Sequence, residues 1–305
     1  MRADEPTRVT VNGSGLDVSV LVWDGDGGAA SSERAVDTLL LVHGYLDCGG
    51  TFAPFVRELP AGLRVLAVDM RGHGASAGVH RGSWYHFEEY VRDVRAVVDA
   101  LAQGRLGVLG HSMGGAISSL FAGTWPEEVA RLVIVEGFGP PAEEFSSGPA
   151  RMKRWVRELA NGPTASRTFG SMEEVSSRLQ RQNPGLTPER ATELAGWLAV
   201  EDEGAVRWRH DVWHRARSPQ IYRPARYAPF LEAVTCPALT VSGGRSWYRW
   251  EDLEERQNRL RDRRHVHFED CGHMVHYERP AELAAEVARH LGLGEAPGEG
   301  SAAAT

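Results

Sequence analysis

The feature that most constrains the fold of this chain is the junction at residues 106–115, LGVLGHSMGG, where an apolar run stops at Gly-His-Ser-Met-Gly. Such a run predicts a buried strand, and the residues that follow, AISSLFAGTW, predict a helix. A serine in a tight turn between a strand and a helix points its Oγ outward, and the turn accepts only small residues two positions before and after it. Gly110 and Gly114 supply those residues around Ser112. The junction predicts an exposed serine nucleophile, against the alternative of a glycine-rich turn around a buried serine.

Short apolar runs alternate with longer helical patterns along the chain, which is typical of an α/β fold with a mostly parallel central sheet flanked by helices. The predicted strands, of which the first two form an antiparallel start, are 7–11, 16–23, 38–44, 63–70, 105–111, 131–137, 238–243 and 265–270. The predicted helices lie near 50–59, 87–103, 114–124, 250–260 and 280–291. In such folds the binding crevice lies at the carboxyl ends of the strands.

One interval, residues 140–228, shows helical stretches but no convincing strand. A structureless loop of this length is not expected in a compact domain, so we predict a helical lid subdomain, inserted after the sixth strand and lying over Ser112. The lid separates two parts of the α/β core, residues 1–139 and 229–292. Residues 293–305 combine Gly, Pro, Ala and Glu without an apolar face, and they predict a disordered tail.

Charge and composition narrow the expected partners and compartment. The formal charge is −7, the pI is near 6.0, and no basic block with interleaved aromatic residues occurs, so nucleic acid is not an expected partner. The N-terminus does not resemble a secretory signal, and no window approaches the ~20 apolar residues of a membrane span. The three cysteines indicate no disulfide framework. A cytoplasmic protein that meets a small-molecule substrate and no membrane is the default expectation, and the oligomeric state is open.

A serine nucleophile needs a base within hydrogen-bond reach and a third group that orients the base. In the chain order serine, acid, histidine, the base follows the last strand, where the segment EDCGHMVHYERP offers His273 and His276. We favour His273, because it directly follows a glycine turn that projects it toward the crevice. If both histidines are structural, Ser112 has no base.

Together these segments resemble the α/β-hydrolase superfamily, over essentially the whole chain apart from the tail. The matching segments, in order, are LVHGYLDCGGTF (41–52), VLAVDMRGHGAS (65–76), VLGHSMGGA (108–116) and FEDCGHMVHYERP (268–280). The motifs HGYLD, DMRGHG, GHSMGG and VEGFGPP are most similar to the branch of serine hydrolase-like proteins. The resemblance implies the α/β-hydrolase fold and a triad of serine, histidine and acid.

The acid is where this sequence departs from the commonest pattern of the superfamily, which places an aspartate a few residues after the seventh strand. That segment reads VSGGRSWYRWED here, with Ser246 about where the aspartate would fall. Glu136, at the end of the sixth strand, is the favoured replacement, because haloalkane-dehalogenase-like members use a carboxylate at that strand end. Glu251 and Asp252 are the alternatives, and a structural role for Glu136 is a third possibility.

An acyl-transfer intermediate carries an oxyanion, which needs two hydrogen-bond donors. One is expected to be the backbone N–H of Met113, and by resemblance the other is that of Tyr45. The tryptophans of the lid and its rim are more often packing residues than ligand contacts, but two or three could form an apolar substrate pocket. The candidates are Trp155, Trp213 and Trp247.

No local spacing of His, Cys or Asp suggests a metal, and no phosphate-binding glycine loop follows the first strand, so no cofactor is expected. We therefore expect a cofactor-independent serine hydrolase of the carboxylesterase or thioesterase kind. Its substrate would be an ester or thioester of a small to medium, partly apolar acyl compound. The alternatives are hydrolysis of a carbon–carbon bond and a non-catalytic ligand-binding member of the fold.

Overall fold

The computed structural model describes residues 5–13, 15–25, 35–80, 82–162 and 167–293. Its strands are β1 (Thr7–Asn12), β2 (Asp17–Trp23), β3 (Thr38–Val42), β4 (Arg64–Val68), β5 (Leu106–His111), β6 (Val129–Val135), β7 (Thr168–Phe169), β8 (Ala199–Asp202), β9 (Ala205–Trp208), β10 (Ala238–Gly243) and β11 (Arg263–Phe268). Eight strands form one sheet in the order β1-β2-β4-β3-β5-β6-β10-β11. Strands β1 and β2 are antiparallel, β2 is antiparallel to β4, and the pairs from β4 to β11 are parallel. The predicted mostly parallel sheet is confirmed.

The helices lie on both faces of this sheet and in the segment between β6 and β10. They are α1 (Ala53–Arg57), α2 (Phe87–Leu101), α3 (Met113–Thr124), α4 (Gly148–Asn161), α5 (Met172–Gln182), α6 (Pro188–Leu198), α7 (Pro224–Ala233), α8 (Leu253–Asn258), α9 (Val275–Glu278) and α10 (Pro280–His290). None of these helices combines the length and the apolar character that crossing a membrane requires.

The two faces of the sheet bury separate apolar clusters, because successive side chains of a strand point to opposite faces. In β3, Leu40 and Val42 belong to the first cluster, whereas Leu39 and Leu41 belong to the second. Helices α2 and α3 complete the first cluster, and α1 and α10 complete the second. The near-continuous apolar runs of the sequence therefore correspond to strands that are buried on both sides.

The segment between β6 and β10 only partly matches the sequence prediction. Helices α4, α5 and α6 lie where helical stretches were predicted, but β7, β9 and β8 form a three-stranded antiparallel sheet that the prediction missed. The turn between β8 and β9 consists of Glu203 and Gly204, with φ of 49° and 78°, as a two-residue hairpin turn requires. The description of this segment as purely helical is therefore wrong.

The boundary predicted for the tail needs correction, and the one at residue 228 divides a helix. Residue 228 lies inside α7, and Leu231, on the core side of the predicted boundary, belongs to the first core cluster. At the other end, Leu293 packs against the second core cluster, and its N–H donates to the carbonyl of Ala288 at 2.9 Å. Residues 294–305 of the predicted tail lie outside the described residues.

Close packing explains the two glycines of the turn between β5 and α3. A Cβ added to Gly110 would lie 2.2 Å from the carbonyl oxygen of Gly114. A Cβ added to Gly114 would lie 2.1 Å from the carbonyl oxygen of Val42 in the neighbouring strand. Side chains at either position would therefore push α3 away from the sheet, as the motif predicts.

Gly114→Ala is expected to destabilise the protein by about 3 kcal/mol, because backbone atoms must move to admit the methyl group. The matched control is Gly196→Ala in α6, where an added Cβ meets nothing within 4 Å. That variant is expected to gain about 0.5–1 kcal/mol from helix propensity alone. Urea unfolding of both variants measures the free energies, and a similar effect of both substitutions would contradict the packing argument.

Candidate active site

Ser112 forms the turn between β5 and α3, with φ of 52° and ψ of −115°. Such a conformation costs a non-glycine residue about 1–3 kcal/mol and persists only where its surroundings impose it. The N–H of Ser112 donates to the carbonyl of Val135 in β6 at 2.9 Å, which extends the parallel sheet by one residue. The register of β5 and β6 therefore positions the serine, whose side chain borders a cavity.

Glu136 is held in the same way one strand further along. It follows β6 with φ of 50°, and its N–H donates to the carbonyl of Val241 in β10 at 3.0 Å. Its carboxylate is buried and accepts from the N–H of Gly243 at 2.8 Å and from the hydroxyl of Ser246. Oε2 of the same carboxylate lies 3.0 Å from Nδ1 of His273. Three donors therefore offset the cost of burying this carboxylate.

The carboxylate of Asp252, a sequence alternative for the acid, has other partners. It accepts from Nη2 and Nε of the buried Arg256 at 2.7 Å and 2.9 Å. Glu251, the other alternative, is exposed. Ser246 stands near the position of the acid in the commonest pattern, and its hydroxyl donates to Glu136 instead. Among these carboxylates, the structure brings Glu136 to the histidine.

His273 lies between β11 and α9, with its side chain about 10% exposed. A carboxylate only accepts hydrogen bonds, so Nδ1 carries the proton and Nε2 is left as a proton acceptor. The ring packs against Trp247 and Tyr248, at centroid distances of 4.7 Å and 5.6 Å. Its backbone carbonyl is 3.0 Å from Nε2 of His111. These contacts fix both the tautomer and the place of the imidazole.

His276, the alternative base, is buried at the start of α9 and does not contact Glu136. Its Nε2 lies 3.6 Å from Oδ2 of Asp47, and its ring is 4.5 Å from that of His111. The two histidines of the segment EDCGHMVHYERP therefore belong to different clusters.

The loop after β3, which carries Tyr45, passes directly beside the serine. A Cβ added to Gly44 would lie 3.3 Å from Cβ of Ser112. His43 fixes this loop, because its Nε2 accepts from the N–H of Met70 at 3.0 Å and its Nδ1 lies 2.7 Å from the carbonyl of Gly44. The loop is thereby tied to the end of β4.

The turn after β4 is anchored by Arg71, which is buried. Its guanidinium donates to both carboxylate oxygens of Asp93 at 2.7 Å and to Glu89 at 2.6 Å. His73 of the same turn accepts from the N–H of Leu46 at 3.3 Å. The DMRGHG motif therefore braces the loop beside the serine.

Tyr45 and Met113, the predicted oxyanion donors, flank Ser112 on the wall of one cavity. Met113 is the first residue of α3. The side chain of Tyr45 is half exposed, and its hydroxyl donates to the carbonyl of His214 at 2.6 Å. Tyr45 thus connects the loop after β3 to the segment between β6 and β10.

Two cavities meet at Tyr45 and Trp247, which line both. The cavity that Ser112 borders has a volume of about 390 Å³ and a wall rich in aromatic side chains, which include Phe87, Tyr222, Tyr227 and Trp250. The cavity that His273 borders has a volume of about 560 Å³ and polar side chains, which include Arg178, Gln182, Asn183 and Arg245. The site therefore offers an apolar compartment and a polar one.

Only one of the three tryptophans predicted for the substrate pocket, Trp247, lies on these walls. Trp155 instead packs edge-on against Trp84 at a centroid distance of 6.4 Å, and Trp213 packs against the first core cluster. The pocket prediction was therefore wrong for Trp155 and Trp213. Spacing along the sequence could not separate them from Tyr222, which does line a cavity, because the aromatic residues between β6 and β10 differ only in how that segment docks.

The order of the sheet and the turn at Ser112 between β5 and α3 are typical of the class of α/β-hydrolases. A profile described as alpha/beta hydrolase fold matches residues 37–280. This chain belongs to that family.

The chain is similar to a serine hydrolase-like protein of Danio rerio, with 32% identity over 179 residues, which is 57% of this chain and 54% of that protein. It therefore spans about half the length of that relative. A serine hydrolase-like protein of Dictyostelium discoideum is 26% identical over 275 residues, covering 86% of this chain and 73% of the relative. Among solved structures, a thioesterase domain from the curacin biosynthetic pathway superimposes with a TM-score of 0.79 at 25% identity, covering 93% of this chain and 99% of that domain. The predicted resemblance to the serine hydrolase-like branch is confirmed.

The stability of the fold is expected to decrease from pH 7 to pH 5, because buried histidines behind the site stay neutral. His73 and His214 stack at 4.0 Å, and burial lowers the pKa of His73 well below its usual value and that of His214 to about 3. A histidine in the unfolded chain has a pKa of about 6.5. Below this pH the unfolded chain therefore binds protons that the folded chain does not bind.

The wild-type protein is expected to lose free energy of unfolding between pH 7 and pH 5, and His214→Gln is expected to remove about 2 kcal/mol of that loss. Urea unfolding at both pH values measures it. The control is His80→Gln at an exposed position, which should leave the pH dependence as it is. If both variants show the wild-type pH dependence, His214 is protonated in the folded protein and the argument fails.

Proposed function

We propose that this chain is a cofactor-independent serine hydrolase that cleaves a carboxylic ester or a thioester through an acyl-enzyme on Ser112. The observation that carries the proposal is the 3.0 Å contact between Nδ1 of His273 and the buried carboxylate of Glu136, at the strand ends where Ser112 also lies. A carboxylate in this place holds the imidazole in the tautomer that accepts a proton and stabilises the imidazolium that results.

In the proposed reaction, Oγ of Ser112 attacks the carbonyl carbon while Nε2 of His273 takes its proton. The carbonyl electron pair moves to the oxygen, which receives hydrogen bonds from the backbone N–H groups of Met113 and Tyr45. When the tetrahedral intermediate collapses, the alcohol or thiol leaves with the proton from His273. A water molecule then attacks the acyl-enzyme by the same route, which releases the acid and restores Ser112.

The two cavities support a division of the substrate. The aromatic cavity bordered by Ser112 and Met113 suits a small to medium, partly apolar acyl group. His273, which protonates the leaving group, borders the polar cavity with Arg178 and Arg245, so that cavity suits a polar leaving group. Residues of the segment between β6 and β10 line both cavities, and we assign this segment the role of a lid.

A fluorophosphonate probe is expected to label the wild-type protein once per chain, and Ser112→Ala is expected to remain unlabelled. The reason is that the probe captures a serine whose neighbouring base has activated it. Intact-mass spectrometry measures the labelling, and p-nitrophenyl butyrate hydrolysis measures turnover in the same preparations. A folded wild-type protein that neither reacts with the probe nor turns over the ester would contradict the proposal.

Glu136→Gln is expected to lower kcat for p-nitrophenyl butyrate by about a thousandfold or more, because an amide at this position favours the wrong tautomer of His273. Asp252→Asn and Glu251→Gln serve as controls of the same chemical change and should keep kcat near the wild-type value. Circular dichroism checks that each variant is folded. A large loss in Asp252→Asn with an active Glu136→Gln would transfer the role of the acid to the loop after β10.

A further inference from the structure

A second polar cluster lies directly behind His273. It consists of Asp47, His111 and His276, which come from the loop after β3, the end of β5 and the start of α9. All three side chains are at most about 5% exposed. One ligand atom from each lies within 4.8 Å of the others, and Nε2 of His276 is 3.6 Å from Oδ2 of Asp47.

Four buried polar atoms of this cluster have no hydrogen-bond partner. They are Oδ2 of Asp47, Nδ1 of His111 and both ring nitrogens of His276. A buried polar atom left without a partner costs about 1–3 kcal/mol, so four of them in one cluster require an explanation.

The remaining atoms of Asp47 and His111 are held by contacts that fix the direction of the unpartnered ones. Oδ1 of Asp47 accepts from the N–H of Cys48 at 2.8 Å, from Thr51 at 2.8 Å and from the hydroxyl of Tyr277 at 2.9 Å. Nε2 of His111 lies 3.0 Å from the carbonyl of His273. A carbonyl only accepts, so Nε2 of His111 carries the proton and Nδ1 presents a lone pair. A metal-binding histidine is oriented in this way, by donating its other N–H to a carbonyl or carboxylate.

We propose that Asp47, His111 and His276 bind one divalent transition-metal ion of the zinc type. Two imidazole nitrogens and one carboxylate oxygen suit zinc, nickel or copper, whereas calcium takes six to eight oxygen ligands. Ligand atoms about 2.0–2.2 Å from a tetrahedral zinc ion are ~3.4 Å apart. The 3.6 Å between Nε2 of His276 and Oδ2 of Asp47 is close to that separation.

Asp47 lines the polar cavity, which provides a route of entry from solvent. His111 links the cluster to the candidate active site, because its Nε2 lies 3.0 Å from the backbone carbonyl of His273. The binding of the ion is independent of the proposed function.

The test uses the full chain without a polyhistidine tag and Co²⁺ and Zn²⁺ as probes. Calorimetry is expected to show one Zn²⁺ per chain, and Co²⁺ is expected to give the visible absorption of a low-coordinate site. His276→Gln and Asp47→Asn should weaken Zn²⁺ binding about tenfold or more. The matched control is His267→Gln, which removes an exposed histidine that lies 3.3 Å from Glu269.

The proposal fails if no ion binds at one per chain, if His276→Gln and Asp47→Asn bind as the wild type does, or if only His267→Gln loses the ion. Zn²⁺ should raise the Tm of the wild-type protein and not that of His276→Gln, which keeps the test valid if Asp47→Asn does not fold.

Discussion

Two hydrogen bonds at the carboxyl edge of the sheet hold the site together, one from the N–H of Ser112 to Val135 and one from the N–H of Glu136 to Val241. Both donors have positive φ, of 52° and 50°, which a serine or glutamate rarely adopts without support. Because each residue follows one strand and bonds to the next, its position is set by the register of three parallel strands. The positions of Ser112 and Glu136 therefore depend on the sheet more than on the loops around it.

The same edge concentrates polar groups that need partners within the protein. Burial of a carboxylate or an imidazole is unfavourable unless its atoms are paired. The contacts of Glu136 with Gly243 and Ser246, and of Arg71 with Asp93, satisfy this condition. The cluster around His276 does not satisfy this condition. In this respect it differs from the hydrogen bonds that hold the loops in place.

Sequence patterns predicted the central sheet well, because strands buried on both faces leave long apolar runs that end in glycine turns. They missed β7, β8 and β9, which have two to four residues each, too few to show a periodicity. Glu203 and Gly204 were the available signal, because a hairpin turn needs residues that accept positive φ, but a Glu-Gly pair is weaker than Asn-Gly. The boundary predicted at 228 divides α7, because the docking of this helix on α3 is a tertiary contact that sequence periodicity does not show.

Within the site, local motifs identify Ser112 and His273, whereas the acid depends on contacts between distant parts of the chain. Glu136 and Ser246 are separated by 110 residues, yet the serine hydroxyl donates to the carboxylate. The loop after β10, where the commonest pattern places the acid, therefore supplies a donor to the carboxylate that follows β6. The same loop also packs Trp247 and Tyr248 against His273. The contacts of Glu136 with His273 and with this loop thus couple the orientation of the imidazole to the wall between the two cavities.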